Sequence, residues 1–276
     1  MRMIELRDLS CTFSGGILSR EKLTAVSPLS VSFRKGGRYA IVGESGSGKT
    51  TLARMMAGLQ KPDGGNVYVD GRPVFGRHRA GKSHFKQVQL IQQNSAAALN
   101  PKMTIGKAIE EPLLCFFRLS RQERRKRCEK LLDLCNLPAD YYSRLPSELS
   151  GGEQKRVAIA RALAAEPACL IFDEATNGFD LPLRKKIMEE ILDLQEKLRF
   201  TLIFITHDME LALAAADEVL VMRDSVLVEQ VPFGGDYAVF QNQYTKVLLA
   251  ASGMAEPINQ YERYPEKNMK LLERNA

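Results

Sequence analysis

No stretch of this chain approaches the roughly 20 consecutive apolar residues that a bilayer-spanning helix requires. Charges interrupt every apolar run, as Glu44 does after residues 39–43. The opening segment, Met1-Arg2-Met3-Ile4-Glu5-Leu6, also lacks the apolar core and small-residue cleavage site of a secretory signal. It passes straight into a strand-like alternation, which predicts a cytosolic protein. Cysteine is sparse: Cys11, Cys115, Cys128, Cys135 and Cys169 are odd in number, irregular in spacing and contain no CxxC pair. That pattern argues against a disulfide framework or a zinc site and predicts ordinary reduced thiols. An acidic excess is missing too. Lys and Arg number 39 against 33 Asp and Glu, a net charge of +6 with a pI near 9.0. This balance permits a polyanionic partner or an anionic membrane surface without requiring either.

What is present is the composition of a folded globular protein: 276 residues, 45% hydrophobic and 26% charged, enough for one large domain or two small ones. Strand and helix patterns alternate along most of the length, which predicts an α/β protein with a largely parallel sheet. Residues 4–13, 24–33 and 38–42 read as strands, 52–59 as a short helix, and 66–71 as a strand entering a turn, the last suggesting an antiparallel layer. Between about 102 and 147 the periodicity turns helical with no convincing strand, and much of the cationic excess falls in residues 118–130. Strands resume at 168–172, 201–205 and 218–222, separated by helical stretches at 181–198 and 209–215. The polar tail after about residue 252 has too few apolar residues for a core of its own.

The densest chemical signal is Gly43-Glu44-Ser45-Gly46-Ser47-Gly48-Lys49-Thr50. Glycines at these spacings let a backbone curl so that its N–H groups converge on phosphate oxygens, with an apolar strand before the loop and a helix N-terminus behind it. Residues 39–42 and the helical run from Thr51 supply both flanks. In this pattern Lys49 reaches the β- and γ-phosphates and the Thr50 hydroxyl binds Mg²⁺. A second signal is Cys169-Leu170-Ile171-Phe172-Asp173-Glu174, an apolar run ending in two carboxylates, as a buried parallel strand delivers acids to the carboxyl edge of a sheet. Asp173 is the candidate Mg²⁺ ligand and Glu174 the candidate base for the attacking water. His207 ends another apolar strand and is expected at that same edge, as a hydrogen-bond donor or positioning group near the γ-phosphate. His78 and His84 have no such placement. They lie in the acid-free basic stretch 72–86, which reads as a solvated loop or a polyanion patch. Leu149-Ser150-Gly151-Gly152-Glu153 precedes a helix carrying Lys155, Arg156 and Arg161, which marks either a second anion site or an ordinary helix N-cap.

The phosphate loop, Leu149 to Glu153, Cys169 to Glu174 and His207 occur in the order seen in ATP-binding-cassette ATPases, and residues 3–250 resemble that family. The resemblance implies a RecA-like P-loop core, an antiparallel β-layer, and a helical subdomain at about 95–149, with 251–276 as a short tail. It also implies head-to-tail pairing of two cassettes, so that Ser150, Gly151 and Gly152 of one cap the ATP held by residues 43–51 of the other, with Asp180 as the D-loop acid. Gln93 matches the glutamine that senses Mg²⁺ and water beside the groove for the permease's coupling helix. Phe13 resembles the aromatic that stacks on adenine, and equally a core residue at a strand end. Thr176-Asn177-Gly178-Phe179-Asp180 and Gln92-Gln93-Asn94 depart from the usual Ser-Ala-Leu-Asp and Phe-Gln-Asp. Residues 95–101 and 243–249 are similar to the peptide/nickel importer group. The implied system has ATP and Mg²⁺ as cofactors, two membrane permeases, a second cassette that is identical or paralogous, an extracytoplasmic solute-binding protein, and a site at the cytoplasmic membrane face. No nucleic-acid partner is expected. The rival reading is a soluble cassette serving nucleic acid, ribosomes or iron–sulfur cluster assembly.

Overall fold

The computed structural model describes residues 1–14, 22–76, 81–93, 99–174 and 181–254. Expectations that fall on His78, on residues 94–98, on the D-loop with Asp180, and on the tail from 255 lie outside these residues. Alternating apolar residues build two long antiparallel strands, β1 (Arg2–Ser14) and β2 (Lys22–Arg34), followed by the buried β3 (Arg38–Val42). Helix α1 (Lys49–Met56) follows, starting three residues earlier and stopping sooner than the 52–59 reading. Next come β4 (Gly64–Val69), β5 (Arg72–Pro73), α2 (Lys82–Gln87) and β6 (Val88–Ile91). The helical stretch consists of α3 (Ile105–Phe116), α4 (Arg121–Leu134) and two 3₁₀ turns, and leads into α5 (Gly151–Leu163). The chain then alternates through β7 (Cys169–Asp173), α6 (Leu181–Leu198), β8 (Thr201–Thr206), α7 (Met209–Ala215) and β9 (Glu218–Arg223). It closes with β10 (Val226–Pro232) and α8 (Gln243–Ala251).

Strands β2-β1-β4-β5 form an antiparallel sheet and β10-β9-β3-β8-β7-β6 the central sheet, parallel except for β10. The central strands read as continuous apolar runs because both faces are covered. Period-2 alternation divides their side chains. Tyr39, Ile41, Ile171, Ile203, Ile205 and Met222 pack toward α1 and the antiparallel layer, whereas Phe172, Phe204, Ala40, Val42 and Val221 face the helices. Parallel register sets Val42 opposite Thr206, Asp173 opposite Ile205, and Ile91 opposite Phe172, so four strands end at one edge.

The basic stretch 72–86 is not a solvated loop throughout. Val74, Phe75 and His84 are buried, and His84 sits on α2, where burial pushes its imidazole pKa down. Its apolar residues outweigh its charges because they close the edge of the core beneath the antiparallel layer. Strands β6 and β10 and helices α2 and α8 are additions to the sequence expectation.

Ile203, fully buried in the central β8, is the strongest test of this packing. Ile203→Ala should cost about 2–5 kcal/mol in urea unfolding, from lost transfer energy and the cavity left behind. A loss well under that range would mean that the sheet is not the core.

Candidate nucleotide site

The loop between β3 and α1 turns on glycines that no other residue could replace. Gly43 has φ of +150°, and a Cβ there would stand 2.0 Å from the Met222 carbonyl oxygen. Gly48, the N-cap of α1 at φ +98°, would bring one within 2.2 Å of the Ala25 carbonyl oxygen. Glu44, Ser45 and Gly46 are exposed, Ser47 and Lys49 are buried, and Thr50 and Thr51 are half-buried on the first turn of α1. The Lys49 ammonium donates to the Gly43 carbonyl at 2.8 Å, the Glu44 carbonyl at 2.6 Å and the Ser47 hydroxyl at 3.2 Å. Burial lowers its pKa, while the charges of Glu174, Asp173 and Glu44 act the other way.

The Thr50 hydroxyl donates to Asp173 Oδ1 at 3.0 Å, which ties α1 to the end of β7. Asp173 is 5% exposed, and burial raises its pKa against the Thr50 hydrogen bond. The next residue, Glu174, adopts φ +48°, a left-handed conformation unusual for a side-chain-bearing residue, and its N–H donates to the Ile205 carbonyl at 2.9 Å. That bond crosses to β8, so its carboxylate Oε1 lies 3.8 Å from His207 Nδ1, one residue beyond the end of that strand. Gln93 is exposed two residues beyond β6, at the same edge. The topology therefore brings Lys49, Thr50, Asp173, Glu174 and His207 to one sheet edge and leaves Gln93 at the same edge beyond β6.

Phe13 pairs in register with Leu23 and is 42% exposed, so its reading as a strand-end core residue is corrected. Leu23 is two residues from Ala25, whose carbonyl abuts Gly48, so this hairpin end flanks the loop.

Ser150, Gly151 and Gly152 open α5 through a capping box: Glu153 N–H donates to Ser150 Oγ at 3.4 Å, and Ser150 N–H to Glu153 Oε2 at 2.7 Å. Among the described residues no hydrogen bond joins them to the loop 43–50. The cations on the helix that follows this candidate anion site are engaged elsewhere. Arg156 grips Glu190 with two hydrogen bonds, Arg161 pairs with Glu111 at 2.7 Å, and Lys155 is 2% exposed with its ammonium 3.4 Å from the Gln92 carbonyl. Burial pulls the Lys155 pKa down to about 8. Lys155 thus links α5 to the segment carrying Gln93, a contact hidden in the sequence because only tertiary packing brings residues 92 and 155 together. Beside that segment lies a cleft of about 420 Å³, lined by Gln92, Leu99, Glu111, Cys115, Phe116 and Arg161 among others.

A glycine loop at a helix N-terminus, with paired carboxylates at the end of β7, one strand removed across β8, defines a P-loop nucleotide-binding α/β protein. A family model described as ABC transporter matches residues 26–177. The chain is 34% identical over 254 residues to the Dipeptide transport ATP-binding protein DppF of Escherichia coli (strain K12), covering 90% of this chain and 75% of that one. It is 37% identical over 235 residues to the Nickel import ATP-binding protein NikE of Rhodospirillum rubrum, covering 85% and 84%. The dimeric post-hydrolysis state of the ATP-binding cassette MJ0796 bound to ADP and Pi matches with a TM-score of 0.74 and 29% identity, over 85% of this chain and all of that one. The chain belongs to the ABC transporter family and is an ATP-binding-cassette ATPase with a RecA-like P-loop core.

Glu153 offers a titration test of the α5 cap. Hydrogen bonds from Tyr141 and Ser150 hold its carboxyl down from 4.5 to about 2. Because the folded pKa is the lower one, the stabilisation is complete above the unfolded value and fades as pH falls toward 2. The stability gap between wild type and Glu153→Gln should therefore close progressively across that window in acid-unfolding curves. A gap independent of pH would contradict the assignment.

Proposed function

We propose that the chain is the ATP-hydrolysing subunit of an importer, energising uptake of peptides, nickel or a metal chelate through two membrane permeases at the cytoplasmic membrane face. The observation that carries the catalytic half is the convergence of Lys49, the Thr50–Asp173 pair and the Glu174–His207 pair at one sheet edge. The relatives named for dipeptide transport and nickel import favour the importer over a soluble cassette. Among the described residues no helix is long and apolar enough to cross a membrane, so passage would belong to partner subunits.

In this reading the amides of residues 43–51 cradle the phosphates and Lys49 swings onto the β- and γ-oxygens, while Phe13 stacks on the adenine. The hydroxyl of Thr50 and the buried carboxylate of Asp173, side by side at 3.0 Å, are the hard oxygen donors that Mg²⁺ favours, with Gln93 nearby at the edge. When bound, Mg²⁺ neutralises charge on the phosphate oxygens. Glu174 takes a proton from the water whose oxygen attacks the γ-phosphorus, the bond to the β–γ bridging oxygen breaks, and ADP leaves with the electron pair. His207, beside Glu174, donates toward the γ-phosphate.

Ser150, Gly151 and Gly152 stand on an exposed helix N-terminus with Asp180 assigned to the D-loop, which suits capping of ATP on a second cassette. The cleft beside Gln92 is the permease's docking groove, and Lys155 bridges it to the Ser150 helix. Residues 3–250 make up the cassette, with about 95–149 as its helical subdomain and 251–276 as a tail. An extracytoplasmic solute-binding protein completes the system.

Glu174→Gln should lower ATP turnover by roughly 100-fold or more while leaving ATP affinity near wild type, as expected for loss of a general base. Phosphate-release assays and equilibrium nucleotide binding on the purified chain measure both. Unchanged turnover would remove Glu174 from the chemistry.

A further inference from the structure

We propose that Tyr244, on α8 near the C-terminus, is a positioning residue of the nucleotide site: its hydroxyl fixes the phosphate-loop backbone at Glu44 and thereby sets ATP affinity. The proposal rests on the reading of residues 43–50 as the ATP loop. Glu44 occupies the exposed part of that loop, yet both its main-chain polar groups are held. Its N–H donates to the Tyr244 hydroxyl at 3.3 Å, and its carbonyl accepts from the Lys49 ammonium at 2.6 Å. A residue 200 positions away thus restrains the same residue whose carbonyl receives the Lys49 ammonium.

Tyr244 is itself immobilised. It is 7% exposed and belongs to a packed cluster with Ala40 and Val42 of β3, the strand that feeds the loop, and with Val219 and Val221 of β9. The Arg223 guanidinium lies 4.8 Å from the ring centroid. Helix α8 is anchored at its start, where Asn242 Oδ1 accepts from the Tyr244 N–H at 2.9 Å and Glu229 of β10 accepts from the N–H groups of Gln241 and Asn242. Met209 and Ala212 of α7 belong to the same cluster, and α7 begins two residues after His207. One helix therefore buttresses the strand before the loop, the loop itself and the helix after His207. A loop that binds phosphate through backbone amides gains affinity from such restraint, because less order has to be imposed on binding.

The test compares wild type with Tyr244→Phe, which keeps the ring and removes only the hydroxyl, using the full chain and a fluorescent ATP analogue with Mg²⁺. Lys49→Ala reports on the loop reading, and Val247→Ala, exposed on the same helix, reports on α8 in general. Tyr244→Phe should raise Kd and KM for ATP by roughly 3- to 10-fold, the range of one neutral hydrogen bond. The kcat should stay within about twofold of wild type. Tm should fall by no more than about 2–4 °C, amide exchange at residues 44–48 should accelerate, and Val247→Ala should behave as wild type. Wild-type Kd and KM in Tyr244→Phe, with nucleotide binding lost in Lys49→Ala, would overturn the proposal while sparing the loop reading. Wild-type nucleotide binding in Lys49→Ala would overturn the loop reading and this proposal with it. A fall in Tm and kcat with KM unmoved would show that the tyrosine only holds the fold.

Discussion

The hydrogen bond from Thr50 to Asp173 depends on the constraint that governs the rest of this molecule, the register of the parallel sheet. Strands β3, β8 and β7 pair so that Val42, Thr206 and Asp173 finish within one residue of one another. Only then do a glycine loop, a carboxylate pair and a histidine meet. A one-residue slip in β7 would turn Asp173 to the other face of the sheet and carry Glu174 away from His207. The buried apolar residues of these strands prevent such a slip, because each face packs against a different layer. Hydrophobic burial, which is itself non-directional, thus becomes the device that sets polar geometry.

Charge is handled differently at the two ends of the site. Around the loop, a buried lysine and a buried aspartate lie close to one another, and each is disfavoured in its charged form by desolvation. Together with the left-handed backbone at Glu174, this is where the fold gives up stability for a site poised to accept phosphate. At the start of α5, by contrast, Ser150 and Glu153 tie each other down through local hydrogen bonds, with Ser150 and Gly151 exposed at the helix N-terminus. The first site is completed by the chain's own strands, whereas the proposed role of the second is to cap nucleotide on another cassette.

Much of this was legible in the sequence because the signals are local. The loop 43–50, the acids after β7 and the histidine after β8 each follow an apolar strand, and strand order alone sends them to one edge. The helices at 181–198 and 209–215 match the observed bounds. What stayed hidden depends on contacts between distant segments. Strand β6 is four residues long and is recognisable only through its pairing with β7. The stretch 72–86 looked solvated from its charges, whereas Val74, Phe75 and His84 close the core. The cations on the helix after Ser150 suggested an anion site in sequence, but Lys155 is buried and Arg156 is held by Glu190. Residues 243–249 carried only a family resemblance, and the role of Tyr244 emerges from the distant loop that its hydroxyl reaches.

The central claim is that this ATPase works on membrane permeases. Tagged Glu174→Gln protein, expressed in its native host and recovered from detergent-solubilised membranes with ATP present, tests it most directly through mass spectrometry of what co-purifies. The account predicts two multi-span permease subunits together with a second cassette. Recovery from the soluble fraction alone, with ribosomal, nucleic-acid or cluster-assembly partners, would contradict it.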